Sequence, residues 1–163
     1  MSTPAKVFTP ALRSVVVEPL REAGFTFDGS RTFRCVAADG SAARIINFQL
    51  GQRAMAGQFA VNLGVFLAGP VPKGREAITP EKAMEFHCEP AQRQRLGLLL
   101  PPRVPLLARL PVIGMLFGPQ DLWWECSADQ DYTGRELRRA LSALQRHGLP
   151  WLETTLARAT RSE

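Results

Sequence analysis

The sequence predicts an α+β fold: one domain built on a meander of four to six mostly antiparallel strands, with N- and C-terminal helices packed on one face. Three observations carry that reading. Ala42–Leu50 (AARIINFQL) and Gln58–Leu67 (QFAVNLGVFL) alternate apolar and polar residues and are rich in β-branched and aromatic side chains, as half-buried strands are. Two further short strand signals, each punctuated by an Asp-Gly step, precede them. Helical spacing of leucines and valines is confined to the two ends of the chain. Composition agrees with a folded domain, at 45% hydrophobic and 21% charged residues over 163 positions.

Residues 1–8 are expected to form a flexible lead-in, with the domain spanning 9–160. Thr9-Pro10 can open a helix, because Thr caps well and Pro suits the first turn. Leu12, Val15, Val16 and Leu20 supply its apolar stripe, Pro19 should kink its last turn, and Gly24 stops it. Strands over 25–28 and 32–37 flank the turn Asp28-Gly29-Ser30-Arg31, and Asp39-Gly40 leads into the third strand.

In the third strand Ile46, Phe48 and Leu50 point one way, while Ile45, Asn47 and Gln49 point the other. In the fourth, Phe59, Val61, Leu63 and Val65 oppose Ala60, Asn62, Gly64 and Phe66. A one-residue slip would turn every side chain over, so the apolar faces match only in certain registers. Pairing Phe48 with Val61 sets Asn47 directly across from Asn62. One face then packs on helices, and the other carries amides and a glycine.

Further along, 68–79 reads as a Pro- and Gly-rich loop, and Thr79-Pro80-Glu81 as the start of a short helix ending before Pro90. Residues 91–100 fit either a strand or a helix. The stretch 101–120 is a Pro-rich apolar loop, and 122–126 (LWWEC) a strand with one indole on each face. Thr133-Gly134-Arg135-Glu136 fits a capping box, Leu137, Leu141 and Leu144 form a stripe, and Gly148 supplies a stop before a last helix with Trp151, Leu152 and Leu156.

Several of these stretches together resemble an uncharacterised bacterial family, domain of unknown function 4304. They are Leu20…Gly24-Phe25, Ile46-Asn47-Phe48-Gln49, Phe59-Ala60-Val61-Asn62-Leu63-Gly64-Val65, Cys88, Arg95-Leu96-Gly97, Trp123-Trp124 and Gly148-Leu149-Pro150-Trp151-Leu152. In order they span roughly residues 12–155. The resemblance implies a small α+β domain and brings no catalytic residue, cofactor or substrate. The long 101–120 loop departs from the family pattern, where a shorter connection is expected.

The chemistry of the chain is sparse. His87-Cys88, with Cys35 and Cys126, offers the residue types of a four-ligand zinc site but not the spacing of one, so no metal is expected. A Cys88 nucleophile with His87 as base meets the objection that sequence neighbours do not face each other on a helix. Glu125, Asp129 and Asp131 read as a solvated turn before a capped helix. No phosphate-cradling glycine loop, nucleophile elbow or HExxH occurs, and no cofactor is expected. Arg135, Arg138, Arg139 and Arg146 suit phosphates, yet an amphipathic helix carries such a face anyway.

The formal charge is +5, a modest excess that does not identify a nucleic-acid binder. Three widely spaced cysteines fit a reducing cytosol. The most apolar stretch, 96–118, is broken by Pro101, Pro102, Pro105, Pro111, Arg103 and Arg109, whereas a membrane helix needs about 18 nearly uncharged apolar residues. The start of the chain has no signal-like apolar core.

These readings converge on a non-catalytic, cytosolic binding or protein-interaction module with an amide-lined sheet face. The alternatives are an enzyme acting on a small polar or anionic substrate, and a nucleic-acid-binding domain. The expected ligand-binding residues are Asn47, Gln49, Asn62, Gly64, Arg95, Trp123 and Trp124. The amides are expected to find partners in neighbouring backbone, with solvent, a covering segment or a ligand as the other sources. The 101–120 loop is expected to be a lid or a surface for a protein partner or self-association.

Overall fold

The computed structural model describes residues 3–69, 77–101 and 121–161. The chain runs α1 (Pro4–Glu22), β1 (Thr26–Phe27), β2 (Thr32–Val36), β3 (Ala42–Leu50), β4 (Gln58–Leu67), β5 (Arg93–Arg95), α2 (Leu96–Leu99), β6 (Trp124–Glu125), α3 (Gln130–Ala143), a π turn (Leu144–Gly148) and α4 (Leu149–Ala159). The six strands form one sheet in which every pairing is antiparallel. β1 to β4 are a meander, and both β5 and β6 lie along the far edge of β4.

The central register is the one that buries both apolar faces together: Phe48 pairs Val61, Ile46 pairs Leu63, and Asn47 pairs Asn62. On the helical face one aromatic from each of five strands forms a row. Phe27 and Phe33 lie 4.8 Å apart, Phe33 and Phe48 5.8 Å, Phe48 and Phe59 6.4 Å, and Phe59 stacks on Trp124 at 5.9 Å. Leu12, Val16 and Leu20 of α1, Leu137 and Leu141 of α3 and Leu152 of α4 close over this row. That cluster is the main core.

Among the described residues the opposite face is covered only in part. Ala43 and Ile45 of β3 pack with Ala83 and Cys88 into a second, smaller core, flanked by Val36 and Phe66. The covering segment is tied down by Arg34, whose Nε donates to the Ala83 carbonyl at 2.7 Å. Beyond that patch the amides begin.

Several expectations are corrected. Residues 4–8 are helical rather than a flexible lead-in: helix α1 starts at Pro4, and Phe8 is fully buried. Thr3-Pro4 carries the same start signal as Thr9-Pro10, and burying Phe8 on Phe59 at 5.0 Å selects the earlier one. Residues 79–89 make a turn and a 3-10 turn over Glu85–His87 rather than an α-helix. The ambiguity of 91–100 resolves into both answers, a strand and then a single helical turn.

Helix α3 starts before the expected box. Asp129 caps it, accepting from the Asp131 and Tyr132 amides, while the Thr133 hydroxyl bonds back to Ser127. Gly148 does not stop the helix. The Leu149 amide donates to the Leu144 carbonyl in a widened turn, and the helix continues into α4. Pro150 lacks the amide that a regular turn needs, which a π turn tolerates. Gly148 allows close packing instead: a Cβ there would lie 2.6 Å from Leu144 Cδ1 and 3.3 Å from Leu63 Cδ1, so those leucine ends would have to shift. Of the 101–120 stretch only Pro101 is described, so the docking-surface and lid expectations lie outside the described residues.

Candidate functional site

The polar patch occupies the half of the second sheet face that lies beyond the smaller core. Alternation puts Asn47 and Gln49 of β3 beside Asn62 of β4, and the pairing of Asn62 with Arg95 places that arginine next in the row. Asn47 and Asn62 are half-buried, and Gln49 is exposed.

The amides are satisfied, but by side chains rather than backbone. Asn47 Nδ2 donates to Thr32 Oγ1 at 2.9 Å, and Asn62 Nδ2 donates to Gln49 Oε1 at 2.8 Å. Asn62 Oδ1 in turn accepts from Arg95 Nε at 3.3 Å. Each bond uses a group that the strand register delivers to the same face.

Arg95 is the centre of the arrangement. Its guanidinium forms an ion pair with Asp121, lies 5.0 Å from the ring centroid of Trp123, and reaches Asn62 from its Nε. The Trp123 indole N–H donates to the same Asp121 oxygen at 3.2 Å. The other oxygen, Asp121 Oδ1, is buried with no hydrogen-bond partner among the described residues. A planar cation so restrained keeps its free edge in one direction, where a flexible one would sweep many.

Arg95 also lines a groove of about 360 Å³ between β5 and the 3-10 turn, shared with Asn62, Glu85, Phe86, Arg93 and Leu98 among others. Arg93 and Arg95 share one face of β5 by the two-residue period of a strand.

Two of the expected residues stand elsewhere. Trp124 faces the core, buried and stacked on Phe59, so the framing indole is Trp123 alone. Gly64 does admit a close approach, but by the chain itself: a Cβ there would lie 2.7 Å from Cys88 Sγ and 3.1 Å from the Glu85 Cα. It therefore seats the covering segment and leaves no room for a ligand at that point.

Asp121, Thr32 and Arg93 were missed from the sequence. Asp121 precedes Trp123 by two residues, the spacing that puts both on one face of extended chain. Extending the register from Phe33 opposite Ile46 would have set Thr32 against Asn47.

The remaining titratable groups resolve into structure. Burial, reinforced by Glu85, pushes the Cys88 thiol up to about 12, so it is protonated at neutral pH. His87 is committed locally, its Nδ1 accepting from the Met84 amide at 3.0 Å. Among the described residues no three His, Cys, Asp or Glu side chains converge as a metal would require. Asp129 caps α3, and Glu125 accepts from the Tyr132 hydroxyl. Arg135, Arg138, Arg139 and Arg146 are all exposed, Arg139 paired with Glu136 and Arg135 lying over the Tyr132 ring. Among the described residues no helix is long and apolar enough to cross a membrane.

The family model described as "Domain of unknown function (DUF4304)" matches residues 16–154. No curated protein and no solved structure matches the chain.

Proposed function

The chain belongs to the DUF4304 family, and from its geometry we propose a non-catalytic binding module that holds a small polar or anionic ligand at the Asn62–Arg95 corner of the sheet. The observation that carries this reading is the restraint of Arg95. Asn62, Asp121 and Trp123 hold one guanidinium from three sides while an open groove lies before it. A purely structural ion pair needs one carboxylate and no groove. Preorganising the donor lowers the ordering cost that a ligand otherwise meets on binding.

Two further points support it. The thiol and imidazole that the sequence offered as nucleophile and base are engaged elsewhere, the thiol protonated and the imidazole bonded to backbone. Cys35, Cys88 and Cys126 are all free thiols, which suits a cytosolic protein.

The test is thermal unfolding in the presence of phosphate, sulfate and acetate, for the wild type and for Asn62→Leu and Arg95→Lys. The wild-type midpoint should rise with anion concentration. Asn62→Leu should remain folded and lose that response, and Arg95→Lys, which keeps charge but not the fork, should lose most of it. A wild-type midpoint indifferent to all three anions, or variants that respond as strongly as the wild type, would overturn the reading.

A further inference from the structure

The groove beside Arg95 holds two kinds of surface that monomers do not usually place together. Three large apolar side chains are exposed among the described residues: Ile78 at 42%, Phe86 at 60% and Leu98 at 39%. A scattered exposed apolar residue needs no explanation. Here Phe86 and Leu98 line a single groove together with the two arginines of β5.

Neither apolar residue is there by looseness. Phe86 sits on a turn anchored on both sides: Cys88 and Glu85 press against Gly64, and the His87 ring lies edge-on to Phe86 at 4.3 Å, its Nδ1 tied to the Met84 amide. Leu98 is carried by α2, whose Leu96 is fully buried and whose Gly97 lies hard against the Leu122 backbone. The apolar surface is thus held at fixed places on both walls.

The charges are equally placed. Arg95 is restrained as described, while Arg93 makes no ion pair among the described residues. Glu85 lines the same groove, and its Oε2 is buried with no hydrogen-bond partner among the described residues. Arg95 thus shares its charge with Asp121, and Arg93 is left as a groove-lining cation with no ion pair among the described residues.

We infer that the groove takes an amphipathic anion, its carboxylate or phosphate head against Arg93 and Arg95 and its apolar body between Phe86 and Leu98. The inference rests on the binding reading above and adds the apolar half of the ligand. A volume of about 360 Å³ is near the lower end for small-molecule sites, so the body is short. Arginine suits either head group, since its fork matches both carboxylate and phosphate oxygens.

The test is calorimetric titration of the full chain with five probes: acetate, inorganic phosphate, hexanoate, hexyl phosphate and hexanol. Hexanoate should bind at least about tenfold tighter than acetate, or hexyl phosphate than phosphate, because buried methylenes add affinity. The stronger of those two pairs identifies the head group. Phe86→Ser, at an exposed position, should erase the advantage of the tail, so that hexanoate or hexyl phosphate binds no tighter than its tailless counterpart; a tail advantage that survives the substitution would overturn the inference. Arg93→Gln should weaken the tailed ligand by about tenfold, as the loss of one charge-assisted bond does. Acetate or phosphate binding as tightly as its tailed counterpart, still dependent on Arg95, would overturn this inference and leave the anion site standing. Hexanol binding as well as hexanoate would overturn it by removing the need for a head. No arginine-dependent binding of any probe would overturn both readings together.

Discussion

Replacing Gly64 by Ala should destabilise the domain through a single sulfur atom. The added Cβ would lie 2.7 Å from Cys88 Sγ, closer than real Cβ atoms come, with the Glu85 Cα at 3.1 Å and its Cβ at 3.3 Å. Overpacking of this kind costs about 1–3 kcal/mol. Alanine is favoured over glycine within a strand by roughly 0.5–1 kcal/mol, which offsets part of it. The net loss should be about 1–2 kcal/mol, read as a lower urea midpoint at unchanged slope. Cys88→Ala alone should cost about 1 kcal/mol, the value of a small buried apolar group. In Gly64→Ala/Cys88→Ala the new methyl enters space the sulfur has left, so the double variant should be no less stable than Cys88→Ala within about 0.5 kcal/mol. Simple addition of the two single losses would refute the argument, and would put the cost on the Glu85 backbone instead.

Three more outcomes are expected. Asp121→Asn should change stability by under about 1 kcal/mol, since both members of the pair are partly exposed, yet alter the near-ultraviolet dichroism of Trp123; an unaltered spectrum would contradict the bond to its indole. Asp28 is pushed up by burial, but bonds from Ser30 and Thr32 and the charge of Arg34 outweigh that and hold its carboxyl below the usual range. Its contribution is therefore present above its unfolded value and lost as pH falls through the lower folded one, so the gap in urea midpoint between wild type and Asp28→Asn should close toward acid; a gap that widens there would reverse the sign. Iodoacetamide at neutral pH should leave Cys88 unmodified in the folded chain and label it after unfolding, as peptide mass mapping would show; rapid labelling of the native thiol would contradict its burial.

The sheet was legible because its two long strands say the same thing at every level. β-branched and aromatic residues recur at every second position, and only a few registers bury both apolar sets. The Asn47–Asn62 pair followed from that arithmetic alone. The helix ends were harder, because the same signal occurs twice. Thr3-Pro4 and Thr9-Pro10 are equivalent as local chemistry, and only the burial of Phe8 against Phe59 separates them. Gly148 shows the converse. Its sequence context reads as a stop, while its contacts with Leu144, Leu96 and Leu63 explain the residue without any end to the helix. The site was half legible. Strand alternation supplied Asn47, Gln49 and Asn62, and Arg95 came with the Arg95-Leu96-Gly97 stretch of the family resemblance, but the groove depends on Glu85 and Phe86, brought in by a segment with no period of its own.

The double occupancy of the outer edge of β4 bears on how this family can vary in length. β5 ends at Arg95 opposite Asn62, and β6 begins at Trp124 opposite Phe59. The chain therefore leaves β4 and rejoins it three residues away on the same edge, about 10 Å at the usual rise of a strand. Whatever lies between those two points closes a loop whose ends the sheet already holds together. The entropy of such a closure grows only with the logarithm of its length, about 0.6 kcal/mol for each doubling. Leu96, Leu99, Leu100 and Leu122, at the two ends of that loop, pack in or against the core, so length is free to change only between them. A chain with a long proline-rich stretch between β5 and β6 can thus keep the same six strands as one with a short connection, and the same junction would accept a foreign segment grafted in its place.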